Sequence, residues 1–586
     1  MQPIDTRLSL VRAAMAAQAL DGLLVPHADE HLGEYVPPCA ERLAWLTGFT
    51  GSAGLAVVLR DQAAVWTDGR YVLQLEAQAG PAWARLHITD DPPPIWLKAH
   101  AASARIGYDP HLMSADALGR YVDAGLVMVA VGPNPIDESW SDRPAPPCAP
   151  AIPHPLAYAG VPSEEKRAAL AKDLADAGQD AAVLTDPASL AWLLNIRGAD
   201  LAYTPFALGF ALLRRDGTVT LFMDAAKLPA DTRIWLGHGV EIAEPGAMQA
   251  ALESLSGQVV RVDRAGSPVW FAQVLRAAGA EVVDGPDPCT LPKACKNPAE
   301  QAGARAAHAR DAVAVCRFLH WLDTARTPVT SETDAAARLL AFRAEVDGFR
   351  EESFPAISGA GPNGAIIHYR ALPGADRVLH ADEPYLIDSG AQYQDGTTDV
   401  TRTVWTGPGT PPDTLRDRVT RVLQGHIAIA TAVFPEGVAG LHLDALARRA
   451  LWQAGLDYDH GTGHGVGSYL SVHEGPVSLS RNARPVALAS GMILSDEPGY
   501  YEPGAYGIRL ENLLLVQGSE IKARKPFLCF ETLTLAPFDR RLIDPALLTA
   551  AERTWLDAYH ARVLREVGPH LDPTAQTWLA AACAPL

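Results

Sequence analysis

The stretch EPYLIDSGAQYQDGTTDVTRTVW, residues 383–405, decides how the second half of this chain folds. Two runs of β-forming residues flank a loop that contains glycine and aspartate, which is the pattern of a β-hairpin. Asp388 ends the first, largely apolar run, and Asp399 belongs to the second. A carboxylate in a nearly buried strand is costly unless it is paired or binds a metal. Asp388 therefore needs a partner, although a plain surface hairpin also explains this stretch taken alone.

The size and composition of the chain favour a soluble protein of several globular domains. It has 586 residues, of which 48 % are hydrophobic, and a net charge of −19. That charge argues against nucleic acid or an anionic membrane as a partner, because both favour a basic surface. No apolar run approaches the roughly 20 residues of a membrane-spanning helix. Residues 1–22 lack the continuous apolar core of a signal peptide.

The cysteines predict a reducing compartment. Seven of them are scattered without any C-x-x-C pair: Cys39, Cys148, Cys289, Cys295, Cys316, Cys529 and Cys583. An odd and sparse set in so long a chain is typical of free thiols. We therefore expect a cytoplasmic protein.

The first half of the chain contains two segments of similar organisation. The first opens with a helix and a strand within residues 5–26, followed by the β-rich stretch GFTGSAGLAVVLRDQAAVWTDGRY. Residues 131–162 are crowded with proline, which predicts a linker without helix or sheet. The same order of elements then repeats from Ser163, and the tetrapeptide LAWL recurs at 43–46 and 190–193. We expect a duplicated α/β domain.

A third segment opens with a strong helix start, Asn297-Pro298-Ala299-Glu300. Asparagine at the N-cap, proline at the first helical position and glutamate at the third all favour this start. The helix is predicted to run through Leu322. Its apolar face would contain Ala312, Val315, Cys316, Leu319 and Leu322. The predicted domains are therefore residues 1–155, 156–290 and 291–586.

Several common catalytic motifs are absent. The chain has no G-x-S-x-G, no G-x-x-x-x-G-K and no H-E-x-x-H. One G-x-G-x-x-G occurs at 359–364, but it contains Pro362 and is followed by β-prone AIIHY instead of a helix. A dinucleotide site is therefore not expected. A loop that allows close backbone approach before His368 is the better interpretation.

Histidines and acids downstream of the hairpin are the candidate partners of Asp388. His460 and His464 lie in HGTGHGVG, where alternate glycines argue against a helix and favour closely packed backbone. His473 follows in SVHEGP, beside a turn. Glu497 precedes a Pro-Gly turn, and Glu511 lies in the apolar run IRLENLLLV.

Four carboxylates and one imidazole form an oxygen-rich set. Its members are Asp388, Asp399, His464, Glu497 and Glu511. Such a set suits hard divalent cations, and four negative charges match two of them. Taken singly, Glu511 could pair with Arg509, and Glu497 could cap a turn. Taken together, the five residues favour a buried site for two metal ions.

These motifs resemble those of aminopeptidase P, an X-prolyl aminopeptidase family of the creatinase and methionine-aminopeptidase superfamily. The resemblance is to the long, three-domain cytosolic form and covers essentially the whole chain. The matching motifs are EYVPPC, GFTGSAG, WTDGRY, GAIIHY, LIDSGAQYQDGTTDVTRT, HGTGHGVG, VHEGP and DEPGYYEPGAYGIRLEN. It implies an α/β (α+β) fold class, with two creatinase-like N-terminal α/β domains and a C-terminal pita-bread catalytic domain. It also implies a homodimer.

The resemblance implies a metal role for each ligand candidate. Asp388 would bind one metal, while Asp399 and Glu511 would bridge both. His464 and Glu497 would complete the other metal's ligands. Two divalent ions are implied, and manganese is the family's usual metal.

The resemblance also implies substrate contacts. His368 and His473 match histidines that contact substrate and belong to the catalytic group. His460 matches a histidine that lines the pocket for proline. Arg70 corresponds to a substrate-contacting arginine of the first domain, although a DGR turn is also a common surface feature. Arg509 would support the metal ligands from outside their coordination sphere.

The resulting hypothesis is hydrolysis of the bond between an N-terminal residue and a following proline. A water activated by two metals would be the nucleophile, which agrees with the missing serine and cysteine motifs. Glu497 would take its proton and return it to the proline nitrogen, while His473 would donate to the developing oxyanion. The alternatives are an X-Pro dipeptidase on the same fold and a non-catalytic peptide- or histone-binding module.

Overall fold

The chain forms two compact units. A computed structural model describes residues 3–327 and 329–586. The first unit runs up to Leu156 and again from Val161 to Thr290, and the second takes Ala157–Gly160 and Leu291–Leu586. The division of the first unit into two domains at the predicted boundaries stays a prediction.

The first part of the first unit is a six-stranded mixed sheet with flanking helices. Its strands are β1 (Gly22–Pro26), β2 (Leu55–Leu59), β3 (Ala63–Thr67), β4 (Ala84–His87), β5 (Arg105–Tyr108) and β6 (Val127–Ala130). Its helices are α1 (Ile4–Ala17), α2 (Arg42–Thr47), α3 (Val72–Gln78), α4 (Pro93–Ala101), α5 (Ala115–Asp123) and α6 (Pro135–Ser139). The spatial order is β4-β3-β2-β1-β5-β6. Strand β1 pairs antiparallel with β2 and parallel with β5.

The second part repeats this topology. Its strands are β7 (Ile152–Pro153), β8 (Ala181–Leu184), β9 (Ile196–Arg197), β10 (Phe210–Arg214), β11 (Val219–Phe222), β12 (Val240–Ala243), β13 (Val259–Val262) and β14 (Glu281–Asp284). The helices here are α8 (Ser163–Asp176), α9 (Pro187–Leu194), α10 (Ala230–Leu236), α11 (Met248–Glu253) and α12 (Val269–Ala277), while the short helices α7 (Leu156–Ala159) and α13 (Thr290–Ala294) lie mostly in the second unit. The sheet order β12-β11-β10-β8-β13-β14 matches the first sheet strand for strand. Both LAWL segments are helical, in α2 and α9, so the predicted duplication is confirmed.

The prediction that residues 131–162 lack regular structure is wrong. The segment contains the helices α6 and α7 and the strand β7. Pro135 is the first residue of α6, where a helix needs no N–H donor. Pro153 lies in the two-residue ladder between β7 and β9, opposite Ile196. Proline is tolerated in both places because neither demands its missing hydrogen bond.

In its described residues, the second unit has six helices of ten residues or more and fourteen strands. Its helices are α14 (Pro298–Thr324), α15 (Glu332–Ala344), α16 (Asp413–Ala430), α17 (Gly440–Trp452), α18 (Ala550–Val567) and α19 (Pro573–Ala582). Its strands are β15 (Phe349–Glu352), β16 (Ile357–Ala360), β17 (Glu383–Ser389), β18 (Ala391–Tyr393), β19 (Gly396–Thr397), β20 (Val400–Thr406), β21 (Val433–Pro435), β22 (Gly463–Gly465), β23 (Glu474–Leu479), β24 (Ile493–Asp496), β25 (Gly499–Glu502), β26 (Tyr506–Arg509), β27 (Asn512–Gly518) and β28 (Phe527–Thr532). The largest sheet has the order β21-β28-β27-β24-β22-β23, and a smaller one has the order β16-β17-β20. Helices α14, α16, α18 and α19 share one apolar core.

The stretch 383–405 forms the predicted antiparallel pair, with an insertion. Strands β17 and β20 pair along their whole length and place Asp388 opposite Thr401. The residues between them form β18 and β19 in a separate sheet, where β18 pairs with β15 on one side and with β19 on the other. Asp399 directly precedes β20. The inserted strands β18 and β19 reverse the chain direction. Asp388 and Asp399 therefore lie at the same end of the β17–β20 pair.

The predicted helix start at Asn297 is confirmed. The Asn297 side chain accepts hydrogen bonds from the N–H groups of Ala299 and Glu300, and the Glu300 carboxylate accepts one from the Asn297 N–H. The five residues of the predicted apolar face are all buried. All seven cysteines are free thiols. In the described part of the chain, no helix combines the length and apolarity needed to cross a bilayer.

Replacing Asn297 tests how much this cap contributes. Asn297→Ala should lower the free energy of unfolding by about 1–2 kcal/mol, because it removes the cap and the 2.8 Å bond from Asn297 Nδ2 to the Ala159 carbonyl. Urea denaturation followed by tryptophan fluorescence measures the change. Asn297→Asp keeps the capping oxygen and should lose less. Equal losses for the two variants would contradict the capping role.

Candidate metal centre

Four of the five predicted metal ligands lie at or next to strand ends of the second unit, and the fifth lies within a three-residue strand. Asp388 is the penultimate residue of β17, and Asp399 directly precedes β20. His464 is the middle residue of β22. Glu497 directly follows β24, and Glu511 directly precedes β27. The pairing of β17 with β20, and of β24 with β22 and β27, gathers these ends.

Distances between the side chains define the cluster. His464 Nε2 lies 3.5 Å from Asp399 Oδ2 and 3.5 Å from Glu497 Oε1. Ligand atoms of Asp399, His464 and Glu511 all lie within 4.8 Å of one another. Asp388 is close enough for the charges of Asp399 and Glu497 to act on its carboxyl group. The structure therefore brings all five together.

The ring of His464 is held in one tautomer. Its Nδ1 lies 2.8 Å from the Gly465 carbonyl oxygen, which can only accept a hydrogen bond. Nδ1 must therefore carry the proton, which leaves the lone pair on Nε2 in the neutral ring. Nε2 is also the atom that faces Asp399 and Glu497. The backbone thus prepares His464 to bind a cation.

Close backbone packing between β22 and β24 explains one of the glycines. A Cβ atom on Gly463 would lie 1.9 Å from the Ser495 carbonyl oxygen, so only glycine fits. The Ser495 hydroxyl accepts a hydrogen bond from the His464 backbone N–H at 2.9 Å and donates one to Glu497 Oε1 at 3.1 Å. The Glu497 N–H donates to the Thr462 carbonyl at 2.8 Å. These contacts fix His464 and Glu497 relative to each other.

Arg509 supports the cluster through Asp388. Its Nη2 donates to Asp388 Oδ2 at 2.6 Å, and its Nη1 donates to the Tyr501 hydroxyl at 2.7 Å. The Tyr501 hydroxyl lies 2.9 Å from His460 Nε2, so His460 is linked to the cluster through two intermediates. Sequence reasoning missed Tyr501. Alternation along β25 from Glu497 through 499 to 501 is the signal that could have found it.

Glu511 does not form the simple ion pair that the sequence allowed. Its Oε2 accepts a hydrogen bond from the Thr401 hydroxyl at 2.6 Å. The buried arginine two residues earlier, Arg509, is committed to Asp388 instead. The alternative that Glu511 merely pairs with Arg509 is therefore wrong, and no local sequence pattern indicated its contact with Thr401.

Burial and mutual repulsion shift the pKa values of the acidic side chains in the cluster. Burial raises the pKa of Asp388 to about 6, and it also raises the pKa of Glu497. Burial and then the charge of Asp399 raise the pKa of Glu511 well above its ordinary value. Burial alone would lower the pKa of His464, but the hydrogen bond to Asp399 and nearby negative charges raise it to about 9. The shifts at Glu511 and His464 also reflect nearby negative charge, which bound cations would neutralise.

The donor set fits two hard divalent cations. Asp388 Oδ1 and Asp399 Oδ1 are buried and accept no hydrogen bond from the described part of the chain. Buried polar atoms are almost always satisfied, so these oxygens point to ligands that the chain itself does not supply. Carboxylate oxygens with one imidazole are typical of dinuclear hydrolase sites.

The other predicted residues have distinct surroundings. The His473 ring lies 4.4 Å from the His464 ring, edge to face. His368 follows a short 3₁₀ turn at Gly361–Ala365, so the β-strand suggested by AIIHY is absent. Arg70, in the first unit, forms an ion pair with Asp68 at 2.7 Å and is half-buried. Its contact with substrate stays a prediction.

Family models match almost the whole chain. Two models described as creatinase/prolidase N-terminal domain match residues 7–127 and 142–300. The model of metallopeptidase family M24 matches residues 302–518, and the C-terminal region of that family matches 526–586. The first unit thus carries the two creatinase-like domains, and the second carries the pita-bread domain.

The chain is also similar to named proteins over its full length. It is 38 % identical to aminopeptidase P2 of Arabidopsis thaliana, over 98 % of this chain and 88 % of that one. It is 40 % identical to a probable Xaa-Pro aminopeptidase P of Laccaria bicolor, over 99 % and 93 %. Among solved structures, the X-prolyl aminopeptidase of Caenorhabditis elegans superposes with a TM-score of 0.94 at 34 % identity, over 100 % of both chains. That protein is described as a cytosolic enzyme with a di-nuclear active site.

Removing one acid from the cluster tests whether it binds metal. Without metal, Glu511→Gln should melt at or above the temperature of the parent, because one mutually repelling buried acid is gone. Manganese should stabilise the parent by about 2.7 kcal/mol at a concentration of 100 Kd, and stabilise the variant far less. Thermal unfolding after dialysis against EDTA, with and without manganese, measures both effects.

The matched control is Glu531→Gln. Glu531 forms a partly exposed ion pair with Arg305 at 2.7 Å and is no part of the cluster. It should keep the full response to manganese. A Glu511→Gln variant that also keeps the full response would rule out Glu511 as a ligand.

Proposed function

The chain belongs to the aminopeptidase P family, within metallopeptidase family M24. We propose that it hydrolyses the peptide bond between an N-terminal residue and a following proline. The observation that carries this proposal is the buried cluster of four carboxylates around a histidine whose Nε2 faces them. A family member that had lost catalytic activity would be expected to lack at least one of the residues that bind the metal ions. All five ligand positions are occupied by metal-binding residue types.

The cofactor proposed is a pair of divalent ions, most favourably Mn²⁺. Asp388 would hold one ion, and Asp399 and Glu511 would be shared by both. His464 and Glu497 would hold the second. When bound, two such ions acidify a water molecule and polarise the carbonyl of the scissile bond.

Glu497 is proposed as the proton carrier. Its Oε1 atom faces His464 Nε2 and also accepts a hydrogen bond from the Ser495 hydroxyl. From there it would take the proton of the attacking water and deliver it to the proline nitrogen as the amide bond breaks. The leaving nitrogen needs this proton because it departs as a secondary amine.

The histidines around the cluster are proposed to bind the peptide. His473, packed against His464, would donate a hydrogen bond to the oxyanion as it develops. A bond to proline is a tertiary amide without an N–H, so it offers no donor for backbone recognition. A shaped pocket near His460 and His368 would take the place of that contact. Arg70 is proposed as a further substrate contact.

The assembly and location are proposed from the family. The Caenorhabditis elegans structure is described as cytosolic, and the seven free thiols here agree with a reducing compartment. A cytoplasmic location is therefore proposed. A homodimer that acts on peptide substrates, without nucleic acid or membrane as a partner, is proposed from the resemblance to the family and from the net charge of −19. Light scattering coupled to gel filtration tests the dimer.

The main alternative is an X-Pro dipeptidase on the same catalytic fold. Chain length and the duplicated N-terminal half favour the aminopeptidase. The deciding experiment combines elemental analysis of manganese-loaded protein with assays on Xaa-Pro-Yaa tripeptides and Xaa-Pro dipeptides. Cleavage of dipeptides only would establish the dipeptidase. Protein that binds no metal would favour the third possibility, a non-catalytic binding module.

Glu497→Gln should lower turnover strongly while the protein stays folded. The amide cannot carry the proton, and it is a weaker metal ligand than the carboxylate. Steady-state kinetics on a tripeptide, with circular dichroism and metal content alongside, separate these effects. Turnover near that of the parent would remove the role proposed for Glu497.

His473→Ala should reduce kcat by about 10²-fold or more, the scale of a lost oxyanion donor. His320→Ala is the matched control, since His320 lies on α14 and packs near Trp578. The control should keep the parent rate. An unchanged rate in His473→Ala would exclude that residue from the chemistry.

A further inference from the structure

A second buried carboxylate lies apart from the candidate metal ligands. Glu332 is the first residue of α15 and is fully buried, with 0 % of its surface exposed. Its Oε1 accepts the Ala360 N–H at 2.7 Å, and its Oε2 accepts the Tyr369 hydroxyl at 2.7 Å and the Arg377 N–H at 2.9 Å. The Asn363 amide lies 3.0 Å from both oxygens. This one side chain thus collects donors from four positions.

All four donors belong to one loop and its two ends. Ala360 ends β16 and Arg377 lies seventeen residues later, yet both N–H groups meet the same carboxylate. Arg377 Nη1 also donates to the Ala360 carbonyl at 2.5 Å, which closes the loop a second time. The loop is therefore tied at its neck, as in compact Ω-loops.

His368 lies inside this loop, next to one of the donors. Tyr369, the following residue, donates its N–H to the Ile366 carbonyl in a tight turn that contains His368. Its hydroxyl reaches Glu332 directly and also lies 2.8 Å from the Asn363 amide. The backbone on the C-terminal side of His368 is thus fixed through the tyrosine.

The other side of the loop is fixed to the metal-site strands. A Cβ atom on Gly507 would lie 1.7 Å from the Gly364 carbonyl oxygen, so the two backbones are in direct contact. Gly507 lies on β26, which ends at Arg509, the partner of Asp388. The loop that carries His368 therefore packs on the strand whose arginine supports the cluster.

We propose that Glu332 is a positioning residue, which clamps the loop 361–376 so that His368 is presented to the peptide substrate. This rests on the proposed function, which assigns His368 to substrate binding. Glu332 acts from behind the loop and touches neither metal nor peptide. A carboxylate has two oxygen atoms that both accept hydrogen bonds, as these donors require. A side-chain amide has one accepting oxygen, and an NH₂ donor group in place of the other.

The first test is a double-mutant cycle on tripeptide hydrolysis. Glu332→Gln should lower kcat/KM by about tenfold or more, the cost of leaving a buried donor unpaired. If it acts through His368, the double variant with His368→Ala should be no slower than His368→Ala alone. Additive losses would overturn the proposal, because they indicate independent effects on the enzyme.

The second test reads the loop without using activity. In hydrogen–deuterium exchange, Glu332→Gln should speed exchange in peptides that cover 360–377 and leave β17 and β20 unchanged. Metal content should equal that of the parent. Unchanged exchange over 360–377 would overturn the clamp. If His368→Ala were fully active, the role proposed for His368 would fail, while the exchange result would still decide the clamp itself.

Two further variants keep the result interpretable. Glu345→Gln makes the same substitution at the other end of α15, where Glu345 is 62 % exposed and pairs with Arg317. It should change neither kinetics nor exchange. If Glu332→Gln fails to fold, Tyr369→Phe can replace it, because it removes only the hydroxyl that donates to Glu332. It should lower kcat/KM and speed exchange over 360–377 in the same way, but by less. Normal kinetics and exchange in Tyr369→Phe would then overturn the proposal.

Discussion

The mutual repulsion of four buried carboxylates is the constraint on which the catalytic half of this protein depends. Asp388, Asp399, Glu497 and Glu511 lie close enough to perturb one another, and Arg509 forms its ion pair with the first of them. Bringing such groups together in a low-dielectric interior is unfavourable unless cations join them. The fold keeps them in place by distributing them over the ends of different strands, so that the sheets, and not the acids, provide the stability.

The same strategy recurs around the cluster. Groups that must be precise are held by backbone contacts or by a buried polar residue behind them. The Gly465 carbonyl selects the tautomer of His464, Ser495 aligns Glu497, and Arg509 orients Asp388. The clamp we propose at Glu332 would extend this principle from the candidate metal ligands to the loop that carries His368. Such support is the usual difference between residues that are merely present and a site that works.

Much of the fold was predictable because local physical rules favour it strongly. The capped start of α14, the alternating runs of β17 and β20, and the repeated order of strands and helices all follow from short-range patterns. The errors have physical reasons as well. Prolines in 131–162 occupy positions where no donor is needed, so short helices and a strand persist there. The β-prone AIIHY is turned by the close contact between Gly364 and Gly507, which local propensity does not contain.

The sequence by itself selected the candidate ligands, because acids in apolar runs are costly unless they are paired or bind a metal. The resemblance to aminopeptidase P then assigned them roles. Only the tertiary structure decided which groups meet: that Arg509 serves Asp388 and not Glu511, and that Tyr501 joins His460 to this pair. It also decided that Glu332 closes the loop around His368. Such pairings join residues up to 121 positions apart, and they depend on strand register, which no local pattern encodes.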